Sequence, residues 1–286
     1  MTATGGGTLG AQTAHDSAYT DLPMTDSGVT ASAVRPGAPT LPATPDTAAD
    51  PLAAGIAAFE GRDPATALAR FREAVALDSL SYEPNLRLAL TLITLGQRVP
   101  DTRSDANRDS MYAEAERRAR TAVRADTSRA DGWFMLASAM GRSALTRPPQ
   151  LRLKMARTIR AAAIRAITLN PSHDGAYHVL GRWHAEIMRL PGIERFFARR
   201  VLGAKVFDEA SWDEATANLE RAVALDTTRI VHRLDLAEVY ADRKRYADAR
   251  AQLDTLAAMP EREYLDPQHK AAADKLREKI ANKQDS

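Results

Sequence analysis

The chain of 286 residues contains no cysteine. Disulfides, thiol nucleophiles and zinc–thiolate centres are therefore excluded together. No stretch approaches about 18 consecutive apolar residues, so no membrane-spanning helix is expected. Lysine is scarce, 7 against 32 arginines, a bias that points to GC-rich coding and a bacterial source. From Pro51 onward no run alternates apolar with polar as a half-buried strand would. Aromatic residues make up 6 % of the chain and give its basic region no periodic stacking platform, so nucleic acid is the least expected partner.

Catalytic signatures are missing as well. No Gly-x-Ser-x-Gly elbow, no P-loop in a strand–helix context and no carboxylate pair with a third member occurs, and neither enzyme activity nor a cofactor is expected. The GGGTLG near the start resembles a phosphate loop only as a string. His173, His178 and His184 sit close together, but on one helix His178 and His184 point about 120° apart, which argues against a shared metal. His184 is expected to pack between paired helices, and Asp174 with His178 to form a local pair one turn apart.

What is present is a repeat. AVALDS at 74–79 returns as AVRADT at 122–127, AITLNP at 166–171 and AVALDT at 222–227. Asp or Asn followed by Ser, Thr or Pro is helix-stop chemistry. Ala74, Ala122, Ala166 and Ala222 lie four residues before each stop. Upstream, Gly55, Ala89, Ala137, Gly181 and Ala237 mark the centres of partner helices, where a small residue lets two helices approach closely. Trp133–Leu136–Ala137–Met140 and Tyr177–Leu180–Gly181–His184 have tetratricopeptide spacing. The expected fold is all-α: a tetratricopeptide-like solenoid of about five irregular helical hairpins over residues 51–283, closed by a capping helix at 266–283. The stops lie 48, 44 and 56 residues apart, so the units carry insertions, at 97–109 (read as a loop), around 141–150 and at 185–211. Residues 1–50, rich in Ala, Thr, Gly and Pro with Arg35 as their only Lys or Arg, read as a disordered tail. TLGAQTA at 8–14 looks like the end of a secretory signal that lacks its charged and apolar regions. A soluble cytoplasmic protein and an exported one with a misplaced start both remain open.

The fourth unit carries a family resemblance. Leu180-Gly181-Arg182-Trp183, the apolar-basic insert with Glu194-Arg195, and Trp212-Asp213-Glu214-Ala215 resemble the regulator of microtubule dynamics family of tetratricopeptide proteins. The order of helices over about 52–283 agrees. The resemblance implies a non-enzymatic repeat protein. Animal members associate with microtubules, and one tethers organelles while its repeat domain binds and moves phospholipid. Nothing in this sequence matches that member's membrane anchor or tethering motifs.

Charge is strongly polarised. Residues 142–205 hold 13 basic and 3 acidic side chains, a net +10, against −8 for the rest. On the helix near 151–169, Leu151, Met155, Ile159, Ala162, Ala163 and Ala166 share one side, and Lys154, Arg157, Arg160 and Arg165 the other. With Arg189, Arg195, Arg199 and Arg200 these bases form a candidate patch for an acidic partner, or a solvated outer face. The concave side should present Leu86, Leu90, Phe134, Ser138, Arg142, His178, Arg182 and Glu186, a groove for a protein or peptide, unless the lengthened helices fill it. The alternative ligand is an anionic phospholipid, with its phosphate near Arg142 and Arg182.

Overall fold

The structure is a computed structural model, which describes residues 50–100, 103–190 and 209–285. The segments expected to form the disordered tail (1–49) and most of the large insert (191–208), with Arg195, Arg199 and Arg200, lie outside the described residues. Among the described residues every regular element is a helix. They pair as antiparallel hairpins: α1 (Pro51–Glu60) with α2 (Pro64–Leu77), α3 (Tyr82–Gly96) with α4 (Ala106–Ala125), and α5 (Ala130–Leu145) with α6 (Pro149–Leu169). The series continues with α7 (Asp174–Arg189) and α8 (Trp212–Leu225), then α9 (Ile230–Asp242) and α10 (Tyr246–Ala258), and α11 (Asp266–Ile280) packs on the last pair. The tetratricopeptide-like solenoid with its capping helix is present. One boundary differs: the 97–109 insertion is partly helical, because Asp105 caps α4 by accepting from the Arg108 amide at 2.9 Å.

The four stop words end their helices by one device. Asp78, Asp126, Asn170 and Asp226 are the C-cap residues of α2, α4, α6 and α8, each in extended backbone. Their amides donate the last helical bond to the carbonyls of Ala74, Ala122, Ala166 and Ala222. Each side-chain oxygen then accepts the amide two residues on, from Leu80, Ser128, Ser172 and Thr228, at 2.9–3.1 Å. Such an Asx turn satisfies a backbone donor and redirects the chain into the next helix.

Small residues set the helix spacing. A Cβ at Gly181 would stand 2.7 Å from Leu219 Cγ and 3.1 Å from the Ala215 carbonyl oxygen, so α7 and α8 meet in near backbone contact. Ala89, Ala115, Ala137, Ala162, Ala215 and Ala237 are all fully buried. Trp183 fixes the preceding pair, its indole N–H donating to the Ala156 carbonyl at 2.8 Å. Leu151, assigned to the buried side of α6, is instead exposed (42 %) in that helix's first turn, ahead of the buried Met155 and Ala156.

The two ends of the array touch. Gln268 Nε2 on α11 donates to the Gln97 carbonyl that follows α3, at 2.8 Å. Arg62, in the α1–α2 turn, lies 3.8 Å from Glu261.

Candidate functional site

The first helices of the pairs face a cavity of about 580 Å³. Leu90, Ile93, Phe134, Ile159, Val179 and Leu265 give it apolar walls, and residues 262–265, between α10 and α11, also line it. A volume of that size accommodates a drug-sized ligand or several apolar side chains.

Of the residues expected on the concave side, Leu90, Phe134, Ser138, Arg142, His178, Arg182 and Glu186 line this cavity. Leu86 does not. It is buried against its neighbours in the core, a turn away from the open space. Phe134 packs on the backbone of Gly175 and on the His173 ring, whose centroid is 4.6 Å away.

The chemistry beside the cavity differs from an open basic groove. Asp174, His178, Arg182 and Glu186 recur every four residues on α7, with Arg189 following. Opposite them, Arg229 precedes α9, and His232, Asp235, Glu238 and Asp242 run along it. Since i and i+4, or i and i+3, share a helix face, the stripes meet side by side. Asp174 accepts from His232 Nε2 at 2.8 Å and from Arg229 at 3.2 Å. Asp235 faces His178 Nε2 at 2.5 Å and accepts from Arg182 at 2.7 Å. Arg182 also lies 3.5 Å from Glu238, and Arg189 bridges Glu186 at 2.7 Å and Asp242 at 2.7 Å.

Burial makes this ladder electrostatically strong. Against burial, which pushes it up, Arg182 and His178 hold the Asp235 carboxyl well below the usual range. Burial likewise opposes, and His232 and Arg229 enforce, a low value at Asp174. Asp235, despite burial, with Glu238 and Glu186 raises Arg182 above an ordinary guanidinium. Burial, then the Asp235 charge, pushes Glu238 up. Asp174 pairs across to α9, so the local Asp174–His178 pair expected from sequence is replaced by contacts between helices. Arg182, the expected phosphate ligand, is already held by carboxylates.

The basic patch is divided. Lys154, Arg157 and Arg165 are exposed on α6. Arg160 turns inward, over the Trp183 ring at 5.7 Å and paired with Glu209. Arg189 belongs to the ladder. Burial and Arg160 bring His184 down to about 4, and it packs edge-on to Trp183, between the paired helices as expected. Among the described residues no group of three His, Asp or Glu is placed to hold a metal ion, and no helix is long and apolar enough to cross a membrane.

The ladder was missed from sequence, since its partners lie 53–58 residues apart. Its trace was the matched polar stripes at helical spacing on the first helices of successive units.

A tetratricopeptide protein of Thermus thermophilus is similar in structure, with a TM-score of 0.54 and 20 % identity over 78 % of this chain and 96 % of that one. PilF of Pseudomonas aeruginosa aligns with a TM-score of 0.46 and 14 % identity over 81 % of this chain and 91 % of its own. No curated protein matches the sequence significantly. The family model of regulator of microtubule dynamics protein 1-3 matches residues 58–281, from the last turn of α1 to the end of the capping helix, and the chain belongs to that family.

Proposed function

We propose that the chain is a non-catalytic scaffold that takes an apolar stretch of a partner polypeptide into the cavity between the first helices. The observation that carries this reading is the apolar space of about 580 Å³ on that face, beside cations already matched by carboxylates. Arg182 is held by Asp235, and Arg229 by Asp174 and Glu263. Such a site gains affinity mainly from burying apolar surface, roughly 25 cal/mol per Å². Among the described residues Arg152 and Arg262 line the cavity without an ion pair, and they suit one acidic group at the edge of an apolar segment. The exposed Lys154, Arg157 and Arg165 act as a solvated outer face. Residues 51–283 are the binding domain in this reading.

The test is selection of a displayed peptide library on the full chain, followed by binding to a Gly141→Phe variant. Gly141 lines the cavity, and a Cβ there meets nothing within 4 Å, so the ring enters open space. Peptides with an apolar core should lose at least tenfold in affinity. Peptides that bind Gly141→Phe as well as the parent chain would refute the site. Native mass spectrometry that finds phospholipid copurifying with the parent chain, and absent from Gly141→Phe, would replace the polypeptide with a lipid.

A further inference from the structure

One contact in the ladder does not balance with neutral groups. His178 Nδ1 and His232 Nδ1 face each other at 2.5 Å, with the rings edge-on at 70° and centroids 4.6 Å apart. The outer nitrogens are committed: His178 Nε2 points at Asp235 at 2.5 Å, and His232 Nε2 at Asp174 at 2.8 Å. An ionised carboxylate can only accept, so both Nε2 atoms must carry hydrogen. A neutral imidazole has one N–H, which leaves two bare Nδ1 lone pairs opposed at hydrogen-bond distance.

We propose that His178 and His232 hold a single proton between their Nδ1 atoms, and that this shared proton fastens α7 to α9 along the cavity wall. With no proton, the lone pairs repel. With two, N–H opposes N–H. One proton converts the contact into a charge-assisted bond, and the series carboxylate–imidazole–proton–imidazole–carboxylate is then fully satisfied.

The surroundings favour that charge. From α7 the pair is faced by Asp174, Arg182 and Glu186, and from α9 and its start by Arg229, Asp235 and Glu238. Arg142 on α5 acts on Asp235, and His269 and Asp266 on α11 with Glu263 complete the shell. Carboxylates outnumber guanidinium groups in this set, so one delocalised positive charge is welcome and a second is not. Burial and the charges of His232 and Arg182, against the pull of Asp235, hold His178 down to about 4, which describes the resistance to that second proton. A metal ion fits poorly. Two nitrogens 2.5 Å apart would subtend only about 75° at zinc–nitrogen distances of about 2.0–2.1 Å, far from tetrahedral.

The proton count predicts a pH signature. Below about 6.5 the two histidines of the unfolded chain bind two protons against one in the fold, so stability rises with pH. Above about 6.5 the unfolded chain binds none and the folded pair still holds one, so stability falls as pH rises, by up to tenfold in the folding equilibrium constant per pH unit. His184 and His269, both lowered by burial, add only to the acid limb. The alkaline limb belongs to the pair.

Urea unfolding of the full chain across pH 6–9 tests this, with His232→Asn and His178→Asn alongside. The parent should lose stability between pH 7 and 9, and either variant should flatten that loss. Stability level from pH 7 to 9 would overturn the proposal. So would one-to-one zinc binding that His232→Asn abolishes. Should both variants fail to fold, nitrogen-15 NMR of the histidine-labelled parent decides. Both Nε2 atoms protonated at neutral pH, with the Nδ1 signals averaged between protonated and bare, supports a shared proton, whereas two bare Nδ1 atoms or a bare Nε2 on either ring overturns it. These readouts need no cavity ligand, so they stand or fall apart from the binding function.

Discussion

Gly141 and Gly181 lie inside helices of equal length, α5 and α7, yet the same substitution should move stability in opposite directions. Gly→Ala in a helix interior is favourable by about 0.8–1 kcal/mol, because glycine loses more backbone freedom on folding. At Gly141 nothing lies within 4 Å of the new methyl, so the full gain should appear. At Gly181 the methyl would sit 2.7 Å from Leu219 Cγ and 3.1 Å from both the Ala215 carbonyl and the Leu219 amide nitrogen. Leu219 is fully buried and the other two atoms are backbone, so none can swing away. Overpacking costs about 1–3 kcal/mol, and with backbone atoms in the way it should fall at about 2–3 kcal/mol, so after the propensity gain the net loss should be about 1–2 kcal/mol. For a folded unit of this size 1 kcal/mol moves Tm by about 2–4 °C. Thermal unfolding followed by circular dichroism should therefore raise Tm by about 2–4 °C in Gly141→Ala and lower it by about 2–8 °C in Gly181→Ala. If Gly181→Ala is as stable as the parent chain, the close approach of α7 and α8 is wrong.

Asp235→Asn should cost about 3 kcal/mol, the range for breaking a buried ion pair, read as a drop in urea midpoint. Asp242→Asn, at the exposed end of the same ladder, should cost under about 1 kcal/mol. His184 is held neutral by burial, so its contribution is complete above about pH 6.5 and is lost as pH falls toward about 4. His184→Gln should reduce the difference in urea midpoint between pH 7 and pH 5. Because the chain has no cysteine, Gln97→Cys/Gln268→Cys introduces its only thiols. A short bismaleimide should link them within one molecule, and products linked only between molecules would contradict the contact of α11 with the second hairpin.

The repeat was legible because its signals are local. An Asp or Asn at a helix end, with a free amide two residues on, specifies the same turn wherever it occurs, and Ala four residues earlier fixes the packing frame. Gly181 and Ala215 were legible for a related reason, since both constrain the α7–α8 pair, whereas Trp183 was legible only through the family resemblance, because its partner Ala156 lies in the preceding pair. Arg182 and His178 were misjudged because their partners belong to the next repeat. From one helix alone an arginine at that position reads as a free cation, and only the facing acidic stripe turns it into half of an ion pair. Leu151 failed differently: its spacing fits the buried face, but it lies in the first turn of α6, ahead of Met155 and Ala156, which are buried. The family resemblance supplied the order of helices, and it carried no information on the ladder.

The contacts that the C-terminal segment makes with the first two hairpins, Glu261 with Arg62 and Gln268 with Gln97, alter how the array can evolve. In an open solenoid each repeat interacts only with its neighbours, so units can be gained or lost one at a time. Once the first and last units meet, the array is a closed circuit, and inserting a whole hairpin would prise the ends apart. Length can then grow only within a hairpin, by lengthening helices or loops while the number of units stays constant. The uneven spacing of the stop words, 48, 44 and 56 residues, is the record such a constraint would leave.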